Sequence, residues 1–289
     1  MTYRGRLAPS PTGYLHLGHA RTFWAAWQRA RAAGGKLVFR NEDLDQQRCR
    51  PQFVHAMYED LGWLGLRWDE GPDIGGPFAP YAQSQRRDFY LDAWRRLRDS
   101  GFIYPCSCSR KDLERALQAP HEDDDEVPYP GTCRVKLRAA RDFSTPAGVS
   151  WRFKVPENEA VGFDDGYYGP RSFVSGKDFS DFLIWRRDDV PAYQLAVVVD
   201  DAAMRITEVV RGADLLKSTA RQILLLRGLG CQPPRYFHCP LLRDERDVRL
   251  AKRHDSLSLR SLRETGVNPA SLREGFAQDI DWNRGAPSF

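Results

Sequence analysis

The chain has 289 residues, enough for one large domain or two modest ones with hydrophobic cores. Hydrophobic residues make up 42% and charged residues 28%, as in ordinary soluble globular proteins, and the net charge of +4 neither requires nor excludes a polyanionic partner. No stretch approaches the roughly 20 apolar residues of a membrane span, and the N-terminus lacks the apolar core of a secretory signal, which predicts a cytoplasmic protein without a membrane partner.

The first hundred residues alternate between predicted strands and helices. A short extended segment over residues 4–8 is followed by prolines and a glycine, and then by a predicted helix from about Gly18 to Ala33 that Gly34 and Gly35 end. The compact strand KLVFR, an acidic loop and two helices at about 51–62 and 84–100 come next. This alternation predicts a parallel sheet with crossover helices, and therefore an α/β fold.

The character of the chain changes after the first hundred residues. From about Tyr104 to Lys154, cysteines, an acidic run, prolines and basic residues replace helical periodicity, which predicts an inserted subdomain. Regular patterns return with Phe182 to Trp185, and the following PAYQLAVVVDD predicts a buried strand. A helix is predicted at about 214–227, and two or three short helices are predicted in the last forty residues.

The first chemical signal is a two-histidine turn, residues 16–19, that follows the first predicted strand. A helix N-terminus offers unpaired amides and a partial positive charge, which suit a phosphate. His16 and His19 can donate hydrogen bonds to phosphate oxygens as charge develops in a transition state, and Gly18 leaves room for a flat base. The alternative is two surface histidines beside a turn, although H-x-G-H arises by chance in roughly 1% of chains of this composition.

A second signal is the basic segment RLAKR, residues 249–253, which contains Lys252. A lysine on a mobile loop can move onto phosphates and neutralise them in the transition state. By itself the segment is better interpreted as a solvated basic patch. The order of the two signals, an H-x-G-H after the first strand and a basic loop after the last, favours a nucleotide site.

Together these segments resemble the HIGH and KMSKS signatures of class I aminoacyl-tRNA synthetases. The segments GRLAPSPTGYLHLGHART, FRNEDLDQQR, AYQLAVVVDD and EVVRGADLL resemble the glutamate-specific branch, and the resemblance covers residues 4–270. It implies a Rossmann-like catalytic domain that uses ATP with Mg²⁺ to activate L-glutamate as an adenylate, with His16, Gly18, His19 and Lys252 at the ATP. The basic loop departs from the family, with Arg249 where lysine is usual and Ala251 where serine is usual.

The resemblance also implies a pocket for glutamate, whose two carboxylates and one ammonium need two cations and one anion. Arg6 would grip the side-chain carboxylate through a planar fork that lysine cannot reproduce. Arg211 would bind or orient the other end of the substrate, and without the resemblance either arginine reads as an ordinary surface ion pair. The remaining contacts that the family implies are Glu42 with Ser10 and the carbonyl of Ala8 at the ammonium, and the hydroxyl of Tyr193.

A metal site is predicted at the start of the insert. Cys106, Cys108 and Cys133 supply three thiolates, whereas structural zinc takes four ligands. The fourth ligand is open between Tyr129, His121 and an acidic residue: spacing favours His121, but the family carries Y-x₃-C, which favours Tyr129. We adopt Tyr129 and expect one structural Zn²⁺. The alternative is three buried reduced cysteines.

The acceptor of the glutamate is implied by the resemblance alone. Only about 36 residues follow Arg253, which leaves no room for the helical anticodon-reading domain of full glutamyl-tRNA synthetases. The chain thus resembles the shortened members of the branch, which transfer glutamate to queuosine in the anticodon of tRNA(Asp). Two alternatives remain: a truncated synthetase that charges the tRNA 3′ end, and a non-catalytic paralogue.

The expected organisation is a monomer with a zinc-containing insertion. Its parts are the two halves of the Rossmann-like domain at 1–104 and 182–245, the zinc and acceptor insert at 105–181, and the KMSKS-like loop with a short helical tail at 246–289.

Overall fold

The protein is described here from a computed structural model that covers residues 2–109, 129–135, 140–242 and 258–285. Within these residues the strands are β1 (Arg4–Leu7), β2 (Lys36–Phe39), β3 (Ile103–Cys106), β4 (Ser150–Phe153), β5 (Ala160–Asp165), β6 (Gly169–Val174), β7 (Phe182–Trp185), β8 (Glu208–Gly212) and β9 (Arg235–Cys239). The helices are α1 (Leu17–Ala32), α2 (Pro51–Trp63), α3 (Arg87–Asp99), α4 (Thr132–Val135), α5 (Tyr193–Ala203), α6 (Leu216–Gly228), α7 (Leu259–Glu264) and α8 (Pro269–Asp279).

Two pairs of parallel strands form the centre of the fold, as the sequence predicts. β1 pairs with β2, and β8 pairs with β9. The two pairs meet where the Thr207 amide donates to the carbonyl of Arg4 at 2.9 Å, and α1 packs against both β1 and β8. The carboxyl ends of parallel strands are where α/β proteins place their ligand sites.

The predicted insert contains more regular structure than its sequence pattern indicates. β3, β4 and β7 form an antiparallel three-stranded sheet, and β5 and β6 form a hairpin. β5 also pairs in parallel with β9, so the hairpin is continuous with the central strands. Strand β7 coincides with the segment at which regular patterns return in the sequence, whereas β4, β5 and β6 were not predicted, because their apolar residues do not alternate cleanly.

The prediction of a buried strand at PAYQLAVVVDD is wrong. The segment forms helix α5, in which all eight residues from Gln194 to Asp201 are buried. A helix that is buried on every side has no polar stripe, so its apolar run cannot be distinguished from a buried strand by periodicity alone. Its three consecutive valines added to the strand signal.

Two large apolar clusters hold the described elements together. One surrounds α3, α5 and α6 with the strands of the insert, and the other surrounds α1, β1, β2 and α2. The C-terminal segment joins the second cluster, where the rings of Phe276 and Trp282 lie 6.1 and 6.3 Å from that of Trp24 on α1. Helices α7 and α8 agree with the predicted short C-terminal helices. None of the described helices has the length and apolar character needed to cross a bilayer.

Candidate active site and metal centre

A cavity of about 380 Å³, the central cavity, opens at the carboxyl ends of β1, β2 and β8. It brings together nearly all of the residues that the sequence proposes for ATP and glutamate. Those that line it are Arg6, Ala8, Ser10, His16, Gly18, His19, Glu42, Tyr193 and Arg211. Lys252 is the exception, because it lies outside the described residues.

The two-histidine turn forms the N-terminus of α1. His16 is the N-cap residue, and its Nδ1 accepts a hydrogen bond from the amide of Gly18 at 3.1 Å. Because Nδ1 is an acceptor, a neutral His16 carries its proton on Nε2. The rings of His16 and His19 stack with their centroids 3.7 Å apart. The turn therefore presents two adjacent imidazoles at a helix N-terminus, where the helix dipole favours an anion.

The backbone of Gly18 packs closely against the imidazole of His16. A Cβ at this position would lie 3.1 Å from Cε1 and 3.2 Å from Nδ1 of His16. Both distances are shorter than ordinary van der Waals contact, so a side chain would push the imidazole away from its capping position. The glycine thus keeps the His16 ring over the first turn of α1.

The chain on both sides of the basic segment reaches the same cavity. Leu242, the last described residue before it, lines the cavity. Ser258, the first described residue after it, pairs with His16 in an antiparallel bridge, and the amide of Leu259 donates to the carbonyl of Leu15 at 2.7 Å.

Arg6 projects from β1 into the cavity and is only 4% exposed. Its Nη1 donates to the carbonyl of Val210 at 2.9 Å, and its Nε lies 3.4 Å from Oδ1 of Asp201. Burial lowers the pKa of Arg6, and the positive charges of Arg40 and Arg211 lower it further, although Asp201 opposes them. A buried guanidinium with one hydrogen bond to described residues retains donors for an anionic ligand.

Glu42 is a buried carboxylate that is only partly paired. Its Oε1 accepts from Arg40 at 2.9 and 3.3 Å, and Oε2 has no hydrogen-bond partner among the described residues. Burial raises the pKa of Glu42, although Arg40 and Arg6 lower it. The carboxylate can therefore accept a hydrogen bond from a ligand cation within the cavity.

A network of buried charges supports these two residues, and the sequence analysis missed it. Arg40, fully buried, donates to Asp201 at 2.6 Å, and Arg86 donates to Asp200 at 2.6 Å. Together with Arg6, the network contains three arginines, and together with Glu42 it contains three carboxylates. Their positive and negative charges therefore cancel. A signal was available, since FRNED and VVVDD place charges directly beside buried apolar residues.

Arg211 lies on β8 and lines the cavity together with Arg6, and its hydrogen-bond partners among the described residues are uncharged. Nη1 donates to Gln222 at 2.8 Å and Nη2 to Thr219 at 2.8 Å, both on α6. Its Nε donates to Nε2 of His238 at 3.1 Å. Arg211 therefore adds one positive charge beside the balanced network, held in a fixed orientation by both α6 and β9.

Three predicted zinc ligands converge at the end of β3. The sulfurs of Cys106, Cys108 and Cys133 lie within 4.8 Å of one another, and those of Cys108 and Cys133 are 3.5 Å apart. The hydroxyl of Tyr129 is 3.6 Å from the Cys106 sulfur and 3.9 Å from the Cys108 sulfur. A tetrahedral zinc with bonds of about 2.3 Å to sulfur needs ligand atoms about 3.8 Å apart, so these four residues fit a metal. His121 lies outside the described residues.

The thiols of this cluster differ in acidity. Burial raises the pKa of Cys108 to about 11, and its hydrogen bond with Cys133 raises it as well. Burial also acts to raise the pKa of Cys133, but hydrogen bonds from Tyr129 and Ser107 outweigh it and lower the value to about 6. A thiolate is the form of cysteine that binds a metal. All six cysteines of the chain lie in the described residues, and each is a free thiol.

Comparison with known proteins agrees with this geometry. A family model described as "tRNA synthetases class I (E and Q), catalytic domain" matches residues 2–279. Relatives named "Glutamyl-Q tRNA(Asp) synthetase" from Nitratidesulfovibrio vulgaris and Symbiobacterium thermophilum are each 50% identical over 93% of this chain and 83% of theirs. "Glutamate–tRNA ligase 2" from Acidithiobacillus ferrooxidans is 44% identical over 96% of this chain but 58% of its own.

The solved structures that match cover the same part of the chain. The glutamate-tRNA synthetase of Elizabethkingia anophelis has a TM-score of 0.83 and 28% identity, and the match covers 100% of this chain and 66% of that one. A glutamate tRNA ligase from Elizabethkingia meningosepticum, solved in complex with its amino acid, has a TM-score of 0.79 and 27% identity over 98% of this chain. The architecture described above is therefore that of these proteins.

Proposed function

Since the chain belongs to the family of class I tRNA synthetase catalytic domains for glutamate and glutamine, we propose that it activates L-glutamate with ATP and transfers it to queuosine in tRNA(Asp). The observation that carries the proposal is the single central cavity, in which Arg6 and Arg211 stand beside the two-histidine turn. With the glutamate side-chain carboxylate bound at Arg6 and the substrate oriented by Arg211, the α-carboxylate would face a phosphate bound at the N-terminus of α1.

The unpaired groups of the cavity match those of glutamate. Arg6 keeps N–H donors for a two-bond contact with the side-chain carboxylate, and Oε2 of Glu42 can accept from the ammonium. Because the charges of the buried network cancel, Arg211 leaves the pocket with one positive charge, which complements the single net negative charge of glutamate at neutral pH. Ser10, the carbonyl of Ala8 and the Tyr193 hydroxyl complete the lining.

In the first step, an oxygen of the glutamate α-carboxylate attacks the α-phosphorus of ATP, bound as its magnesium complex. The bond from that phosphorus to the bridging oxygen breaks, and pyrophosphate leaves with the electron pair. His16 and His19 donate hydrogen bonds to phosphate oxygens, and Lys252 neutralises their charge. No group of the protein needs to accept a proton, so catalysis consists of positioning and charge stabilisation.

In the second step, a hydroxyl of the cyclopentenediol ring of queuosine attacks the acyl carbon of glutamyl-adenylate. An ester forms, the hydroxyl proton is released, and AMP departs. Support for this acceptor comes from the two relatives whose names carry it, since each is 50% identical to this chain, against 44% for the A. ferrooxidans glutamate–tRNA ligase.

We further propose that Cys106, Cys108, Tyr129 and Cys133 hold one structural Zn²⁺. The bound metal would join β3 to the turn at residues 129–133, and it takes no part in either step. We also propose the four-part organisation of the chain: the two halves of the catalytic domain at 1–104 and 182–245, the zinc-binding insert at 105–181, and the C-terminal part at 246–289.

Labelled glutamate, ATP and purified tRNAs test the proposal. Label should enter tRNA(Asp) that carries queuosine and should be absent from the same tRNA without it. Label on queuosine-free tRNA(Glu) would show instead a synthetase that charges the 3′ end. If no tRNA is labelled and glutamate promotes no ATP–pyrophosphate exchange, the chain is a non-catalytic binding protein.

A further inference from the structure

We propose that Asp165 and His238 are positioning residues that hold the Arg211 guanidinium in its substrate-binding orientation and thereby set the affinity for glutamate. The inference rests on the proposed function, because Arg211 is the residue through which the pair would act. Neither Asp165 nor His238 lines the central cavity, so neither can touch the substrate there.

The register of three neighbouring strands brings these residues together. Arg211 on β8 and His238 on β9 are direct partners in a parallel ladder, and Asp165 is the last residue of β5, which pairs with β9 at Tyr236. Partners in register project to the same face of a sheet, so the positions of Arg211 and His238 follow from strand pairing alone. A slip by one residue would separate them.

Both hydrogen bonds are donated in the same direction, from the guanidinium through the imidazole to the carboxylate. Arginine can only donate, so Nε2 of His238 accepts the bond from Nε of Arg211 at 3.1 Å. The proton of the neutral imidazole is then on Nδ1, which lies 2.6 Å from Oδ2 of Asp165 and donates to it. The carboxylate thus selects the one tautomer of His238 that can accept from Arg211.

Asp165 is itself fixed by backbone amides. Its Oδ1 accepts from the amides of Tyr167 at 3.1 Å and Tyr168 at 2.9 Å, and its Oδ2 accepts from the amide of His238 at 3.2 Å. The side chains of Asp165 and His238 are both fully buried. Three backbone amides hold the buried carboxylate in one orientation, and the carboxylate in turn fixes the orientation of the imidazole.

The neutral state of His238 is favoured by its surroundings. Burial lowers the pKa of His238 to about 4, and the positive charges of Arg211 and Arg6 also act to lower it, although Asp165 acts to raise it. An imidazolium here would lose its acceptor and repel Arg211. In the neutral form it completes a three-sided support, with Gln222 and Thr219 of α6 on the other sides of the guanidinium.

The test is isothermal titration calorimetry with glutamate and, separately, ATP. Replacing His238→Phe removes the acceptor and leaves Arg211 mispositioned, so we expect the Kd for glutamate to rise by about tenfold or more and the Kd for ATP to stay within about threefold. His238→Gln can accept from Arg211 and donate to Asp165, and it should restore glutamate binding to within about threefold of wild type. His55→Phe, the same change at an exposed histidine of α2, is the matched control.

The double variant Asp165→Asn with His238→Phe protects the test against misfolding, because it removes the carboxylate charge that the single variant leaves buried without its imidazole donor. We expect it to weaken glutamate binding as much as His238→Phe does. A folded double variant that binds glutamate as tightly as wild type would overturn the inference. A wild-type protein that fails to bind glutamate would instead overturn the proposed function, and this inference with it.

Discussion

At the scale of single residues, the cavity is defined by charges that are buried but incompletely paired. Arg6 has one hydrogen bond to described residues, and Glu42 offers an unpaired oxygen. Buried polar groups normally have partners, and leaving one unpaired costs about 1–3 kcal/mol. A bound ligand that completes their hydrogen bonds would remove this cost. The unpaired groups of Arg6 and Glu42 therefore indicate a ligand-binding site.

Arg6→Lys should abolish useful recognition of glutamate. Lysine keeps the charge but replaces two parallel hydrogen bonds with a single donor, so we expect the KM for glutamate to rise by about 100-fold or more, equivalent to about 3 kcal/mol. The KM for ATP should change little. ATP–pyrophosphate exchange measures both values, and Arg48→Lys, an exposed arginine that does not line the cavity, is the control. Equal losses for both substrates would indicate a structural role for Arg6 instead.

Most of the cavity lining could be predicted from the sequence, because its residues fall within short motifs. The supporting residues could not. Arg40 and Asp201 are 161 positions apart and meet only when β2 and α5 pack together. Asp165 and His238 are separated by 73 positions and meet through the pairing of β5 with β9. Contacts of this range depend on strand order and register, which local patterns do not encode.

At the scale of secondary structure, the N-terminus of α1 is the element on which ATP binding depends. Gly18→Ala would place a Cβ 3.1 Å from the His16 ring and displace it, whereas Gly13→Ala, the same change in the same segment, meets no atom within 4 Å. We expect Gly18→Ala to lower kcat/KM for ATP by about tenfold or more and Gly13→Ala to leave it unchanged, as measured by pyrophosphate exchange. Equal activity of the two variants would contradict the assigned role of the turn.

The cysteine cluster at the end of β3 supports a second prediction at this scale. Cys133→Ser should reduce bound zinc from about one equivalent to near zero by elemental analysis, because a three-ligand protein site is too weak for a structural metal. The melting temperature should fall with the metal content. Cys231→Ser, which changes a cysteine outside the cluster, should leave both unchanged. If wild-type protein purifies without zinc, the cluster is a group of reduced thiols.

Helix α5 shows where element prediction fails. Its residues were recognised as buried, but their secondary structure was assigned incorrectly, because every residue from Gln194 to Asp201 faces protein. The helical structure of this segment matters for the site, because Tyr193 begins the helix and Asp201, near its end, accepts a hydrogen bond from Arg40. A strand would have directed alternate side chains to opposite faces.

At the scale of the whole molecule, His238 links stability to pH. Its pKa in the folded protein is about 4, against an ordinary value of 6.5, so between these pH values the unfolded chain binds a proton that the folded chain does not. The free energy of unfolding should therefore fall on acidification through this window, by up to roughly 3 kcal/mol from this group. Asp60 acts oppositely, because burial raises its pKa to about 6 and the folded state binds its proton first.

The difference between wild type and His238→Gln isolates the histidine, since the contribution of Asp60 is present in both. Denaturant unfolding at pH 7 and pH 4.5 should show a larger loss of stability for wild type than for the variant. Parallel stability profiles would mean that His238 titrates normally and is not held neutral by its surroundings.

The central claim is that one cavity holds glutamate against the innermost phosphate of ATP. A crystal structure of the protein with a non-hydrolysable glutamyl-adenylate analogue tests this most directly. We expect the glutamate side-chain carboxylate at Arg6, the other end of the amino acid bound or oriented by Arg211, the ammonium at Glu42, and the phosphate substitute beside His16 and His19. An analogue bound elsewhere, or one whose amino-acid end points away from the two arginines, would contradict the account.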